Sequence, residues 1–176
     1  CNHDSASILC SVLIHNTPPL RRLSLASSKM KSETCEILCP GISQSKTLEK
    51  LNLSDNYIGI RDVPADDDNE AHQIHSFSTV SQLFISISDN IYLHEVNLRH
   101  NSLFGLEMIN SFFFHSESLT AIRTVISPAS NCRIISLDLL ENKLPNRNTS
   151  SVVDYQRADE ILDDLFQLMK HKKSFK

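Results

Sequence analysis

The stretch Leu48-Glu-Lys-Leu51-Asn-Leu53-Ser-Asp-Asn56-Tyr-Ile58 decides how the chain reads. Apolar residues at 51 and 53, separated by a polar one, make a short strand with one buried face. The chain must turn after Leu53, and Asn56 stands at that turn. A carboxamide there can both donate to and accept from backbone groups that a turn leaves without partners. Ile58 then brings the chain back to an apolar contact.

The same spacing returns three more times. Leu20-Arg-Arg-Leu23-Ser-Leu25, Leu93-His-Glu-Val96-Asn-Leu98 and Ile134-Ile-Ser-Leu137-Asp-Leu139 superimpose on it. Ser28, Asn101 and Asn142 take the place of Asn56, and Met30, Leu103 and Leu144 the place of Ile58. A recurring unit of this length is the mark of a repeat architecture. Stacked turns would align Asn56, Asn101 and Asn142 as a structural ladder, with Ser28 a shorter substitute. Before the strands, Leu9, Leu13 and Asn16, then Leu38, Ile42 and Ser45, then Leu83, Ile87 and Asn90 share a second pattern. An apolar pair at i, i+4 is one stripe of a helix, so the unit is strand, turn, helix. Pro40 and Gly41 predict that the second helix is short or kinked.

These four segments resemble leucine-rich repeats of the ribonuclease-inhibitor-like subclass, in which strand and helix alternate over about 28 residues. The resemblance implies a right-handed α/β horseshoe slice, a solenoid with a parallel sheet on its concave face and helices on its convex face. It also implies part of a longer array, because terminal repeats ordinarily carry a polar cap. The steps between strands are 28, 45 and 41 residues, so two of the three exceed the expected period.

Residues 1–176 are read as one domain with three irregularities. The first is a solvated loop near 61–77, where Asp66-Asp-Asp-Asn-Glu70 lacks apolar periodicity and the ligand spacing of a calcium loop. The second is a degenerate repeat near 119–133. The third is an amphipathic helix over 152–170, whose tail Lys170-His-Lys-Lys173 suits a helix C-terminus.

The net charge of -4 gives no basic field to attract nucleic acid or an anionic membrane. No apolar run is long enough to span a bilayer. Five cysteines without regular spacing suit free thiols and a cytoplasmic setting. Cys35 and Cys39 could share a helix face as metal ligands, but no companion pair has zinc spacing, and packing is the expected role. Three glycines leave no room for a phosphate loop, and neither a nucleophile elbow nor a zinc-protease motif occurs.

The expectation is therefore a protein-interaction scaffold, without catalysis, cofactor, metal or small-molecule substrate. Its partner would be a protein held on the concave face. The strand register sends Arg22, Lys50, Glu95 and Ser136 into that face as one row. Ser24, Asn52, Asn97 and Asp138 form the next, and Arg99 follows at the strand end. Arg22, Ser24, Lys50, Asn52, Glu95, Asn97, Arg99 and Asp138 are the candidate contacts. A GTPase-activating protein on the same scaffold is the alternative.

Overall fold

The computed structural model describes residues 1–59, 70–103, 125 and 133–142, with the side chains of 70–78 left aside. Helix α1 (His3–His15) leads into strand β1 (Arg22–Ser24), helix α2 (Ser32–Gln44) and strand β2 (Lys50–Asn52). Helix α3 (Glu70–Asp89), strand β3 (Glu95–Asn97) and strand β4 (Ser136–Asp138) follow.

The strands form one parallel sheet in the order β1-β2-β3-β4. Leu23, Leu51, Val96 and Leu137 lie opposite one another across it. Each strand spans three residues, yet pairing runs on into the turns. Leu25 N–H donates to Asn52 O, Leu53 N–H to Asn97 O and Leu98 N–H to Asp138 O, at 2.8–2.9 Å. Two residues later Ser27, Asp55 and His100 repeat the bond to the next strand's turn at 3.0 Å.

The helices form a second layer, in which α2 packs on both α1 and α3. The α1 start is capped by Asn2, whose side chain accepts from Ser5 N–H, and its end is left-handed at Asn16. In α3 the buried residues Val80, Leu83, Phe84 and Ile87 recur at helical spacing and give one apolar stripe. These side chains share a single core with Leu13, Leu38, Ile42, Leu51, Leu53, Val96 and Leu98. Burying each Leu or Ile stabilises the fold by about 1.5–3 kcal/mol against leaving it in water. The layers thus hold each other, and the fold is a mixed α/β one.

Two sequence expectations need correction. The helix carrying Pro40 is not shortened: α2 runs through it for 13 residues. Proline withholds one backbone donor, and packing on two helices offsets that loss. Gly41 has a positive role, for a Cβ there would stand 2.9 Å from Cys10 Cα and 3.1 Å from Leu13 Cβ. It is the point of close approach between α1 and α2. Likewise the expected loop at 61–77 ends early, because α3 begins at Glu70 and places His72 and His75 on a helix. Apolar contacts further along α3 propagate helix backwards through residues without a pattern of their own. The expected degenerate repeat at 119–133 lies outside the described residues except for Val125 and Arg133. The expected helix at 152–170 lies wholly outside them.

Candidate functional site

Strand alternation leaves one sheet face for the core and one open. Arg22 and Ser24 are exposed on either side of buried Leu23. Lys50 with Asn52 flanks Leu51, and Glu95 with Asn97 flanks Val96, in the same way. The register aligns Arg22, Lys50, Glu95 and Ser136 in one row and Ser24, Asn52, Asn97 and Asp138 in the next. Together they line a trough of about 400 Å³ that crosses all four strands. Seven of the eight candidate contacts meet there; Arg99 stands outside it, in the turn after β3.

The first row is not a set of independent charges. Lys50 Nζ lies 2.5 Å from Glu95 Oε1, so the two largely cancel. Arg22 has no such partner among the described residues. In the second row, Asn52, Asn97 and Asp138 each turn a side-chain oxygen onto a backbone N–H two residues on. Those donors are Ser54, Arg99 and Leu140, all at 3.0 Å. These Asx turns bend the chain out of the sheet. What Asn52 and Asn97 can still offer a ligand is therefore the Nδ2–H donors.

Beyond the strands, Ser27, Asp55, His100 and Glu141 occupy equivalent places and all have φ of 55–57°. This left-handed geometry is unusual for residues other than glycine. It sets a second charged group at the strand ends. His100 Nδ1 lies 3.1 Å from Asp55 Oδ1, and Arg99 pairs with Glu141. Hydrogen bonds from His100 and then Ser54 hold the Asp55 carboxyl below its ordinary range. Arg99 does the same to Glu141, and the pairing raises the Arg99 guanidinium, with Asp138 adding to it.

Buried carboxamides fix the turns. Asn56 donates to the carbonyls of Leu25, Leu53 and Ser54 and accepts from Met30 N–H and the Ser28 hydroxyl. Asn101 donates to Leu53, Leu98 and Arg99 carbonyls. Asn142 donates to Leu98 and Leu139 and accepts from Asn101 and Leu103 N–H. Among the described residues, Asn101 Oδ1 is the one buried side-chain polar atom without a partner. A second polar line went unread as such in the sequence. Asn16 Oδ1 accepts from Lys46 N–H at 2.9 Å, while Asn90 Nδ2 donates to Ile42 O at 2.6 Å and Ser45 O at 3.0 Å. Its signal was present in the helix pattern, where Asn16, Ser45 and Asn90 recur in register. The left-handed turn residues had no such signal, because glycine was absent from them.

Cys35 and Cys39 are buried free thiols, with Cys39 Sγ donating to Cys35 O at 3.4 Å. A hydrogen bond with Cys39 and burial push the Cys35 thiol well up. Among the described residues no three acidic, His or Cys side chains could hold a metal ion, and no helix is long and apolar enough to cross a membrane.

No family model matches the sequence, and no curated protein does. Solved structures do match in fold. The chain is similar to leiomodin-1 actin-binding site 2. The likeness has a TM-score of 0.51 at 10% identity and covers 94% of this chain and 92% of that one. A tropomodulin C-terminal domain from Caenorhabditis elegans matches with a TM-score of 0.45 at 10% identity, covering 94% and 95%. At such identity the leiomodin likeness speaks for the fold alone.

It also overturns the resemblance to ribonuclease-inhibitor-like repeats. The fold shared here is that of leiomodin-like domains, which differ from such an array. The physical reason lies in the uneven steps: α2 and α3 differ in length, 13 against 20 residues, so successive units are not copies of one period.

Proposed function

We propose that this chain is a protein-binding domain and that its partner docks on the open face of the four-stranded sheet. The observation that carries the proposal is the trough of about 400 Å³, lined by polar and charged side chains from every strand. Side chains on paired strands are positioned by a continuous backbone ladder, so little ordering remains to be done on binding. In this reading the stacked strand-turn-helix units form a short curved slice with the sheet on its inner side. The proposal includes no catalytic step and no cofactor, and it sets the chain in the cytoplasm, where free thiols persist. The GTPase-activating alternative gains no support from the comparisons.

Actin is the first partner to test, because the leiomodin-1 domain of similar fold is described as an actin-binding site. A photo-reactive benzoylphenylalanine placed at Ser24 reports on the sheet face. The same group at Ile8, which is 65% exposed on α1, reports on the helix layer. With purified actin, and then with a cytoplasmic extract, adducts to one defined protein should form from Ser24 and not from Ile8. Adducts from Ile8 alone, or from neither site, overturn the proposal.

A further inference from the structure

The charges that the sheet face keeps for itself differ from those it presents to a ligand. Lys50 and Glu95 neutralise each other at 2.5 Å, and Arg99 is taken by Glu141. Two formal charges on the rows of the trough have no ion-pair partner among the described residues: Arg22 on β1 and Asp138 on β4. One Asp138 oxygen accepts from Leu140 N–H; Arg99 also feels the carboxylate, but its hydrogen bond goes to Glu141. The face is positive at one end and negative at the other, with amide donors between.

The distance between those ends selects a ligand. Neighbouring strands lie about 4.8 Å apart, so three intervals put Arg22 and Asp138 roughly 14 Å from each other across the sheet. An extended chain rises about 3.3 Å per residue and presents alternate side chains to one side, so residues i and i+4 stand about 13 Å apart on the same side. A helix would need about nine residues to cover that span. A helix also spends its carbonyls on its own N–H groups, which leaves none for the Nδ2–H donors of Asn52 and Asn97. Strands β2 and β3 are already paired on both sides, so the ligand crosses the strands and cannot join them.

We infer that the trough takes an extended peptide segment bearing opposite charges four residues apart, the acidic one over Arg22 and the basic one over Asp138. Its backbone carbonyls accept from Nδ2–H of Asn52 and Asn97. Leu23, Leu51 and Val96 also line the trough but are buried between the rows, so the side chains that reach a ligand are chiefly polar. This inference rests on the sheet-face reading above and specifies its ligand.

The test is selection of random linear dodecapeptides on the immobilised full chain. The wild-type chain should enrich opposite charges at i and i+4, each matched charge strengthening binding about two- to fivefold. Asp138→Lys makes both ends positive and should switch the selected pair to two acids. Arg22→Glu should switch it to two bases. A gained specificity cannot come from a misfolded chain. Selected peptides with no charge pair, with the apolar spacing of an amphipathic helix, or with a preference that ignores both substitutions overturn the inference, as does the absence of any selected peptide. If adducts still form from Ser24 in those cases, the sheet face remains the docking site for a folded surface and only the peptide inference fails. Loss of the Ser24 adducts would remove the docking face itself.

Discussion

Asn142 reaches back one strand and accepts from Leu103 N–H at 3.1 Å, as Asn56 does from Met30 N–H at 2.9 Å. The two asparagines are not merely aligned along the turns. Each closes the turn of the strand before it, so the order of the strands is written into hydrogen bonds between neighbouring turns.

Replacement of Asn56 by alanine should lower stability by about 2–4 kcal/mol, because it strands the Met30 N–H and the Leu25 carbonyl in the interior, while Leu53 O and Ser54 O keep Asn101 Nδ2–H and Ser27 N–H. Urea unfolding measures this directly. Asn56→Asp should be at least as damaging, since a carboxylate cannot donate to Leu25, Leu53 and Ser54. A loss below about 0.5 kcal/mol for either variant would show that water replaces the carboxamide there.

Gly41→Ala gains helix propensity of about 1 kcal/mol, yet its net effect should be a loss of about 1–3 kcal/mol. The new methyl meets backbone, with Cys10 Cα at 2.9 Å and Cys10 O at 3.0 Å, and α1 must move away. Gly59→Ala should be worse, as its Cβ would stand 2.3 Å from Ser102 O. A thermal melt of each variant, ranked against the parent, decides the order.

Arg22→Glu and Lys50→Glu should separate in their effect on folding. Arg22 has no ion-pair partner among the described residues, so its reversal should stay within about 0.5 kcal/mol. Lys50→Glu removes an ion pair whose side chains are 39% and 43% exposed and sets two carboxylates side by side. A loss of about 1 kcal/mol, reduced by high salt, is expected after allowing for solvent screening. Equal melting temperatures for the two would place Lys50 and Glu95 apart in solution.

The turn carboxylates predict an acid-sensitive component of stability. Asp55 and Glu141 are held below their ordinary values in the fold, by His100 and Arg99. An unfolded chain therefore takes up protons first as pH falls, and the stabilisation is present above the ordinary carboxylate range. It declines as pH drops through that range toward the lowered folded values. Asp55→Asn with Glu141→Gln should flatten the stability curve in that window and leave it unchanged in shape near neutrality. Both groups are solvent-exposed, so the slope should also shrink in high salt.

Thiol labelling should divide the cysteines of helices α1 and α2. Cys35 is buried, and Cys39 and burial raise its thiol well up, so little thiolate is present. Alkylation followed by peptide mass spectrometry should modify partly exposed Cys10 in the folded chain and reach Cys35 only in denaturant. Early modification of Cys35 would mean that α1 and α2 separate readily.

The strand register was legible before any coordinates, because a buried sheet face demands apolar residues at fixed offsets. Leu23, Leu51, Val96 and Leu137 could be aligned by eye, and a slip of one residue would have turned each to solvent. Two errors had the same root. Period and composition report local preference, so Pro40 predicted a short or kinked α2 and the loop was carried on to residue 77. Packing of α2 on α1 and α3 carries helix through Pro40, and α3 reaches back to Glu70.

The sequence by itself determined which side chains are core and which face of each strand is open, since both follow from spacing along one chain. Only the tertiary structure decided which charges on that face remain available. Lys50 and Glu95 are 45 residues apart in the chain and 2.5 Å apart in space, and Coulomb attraction depends on the second distance alone.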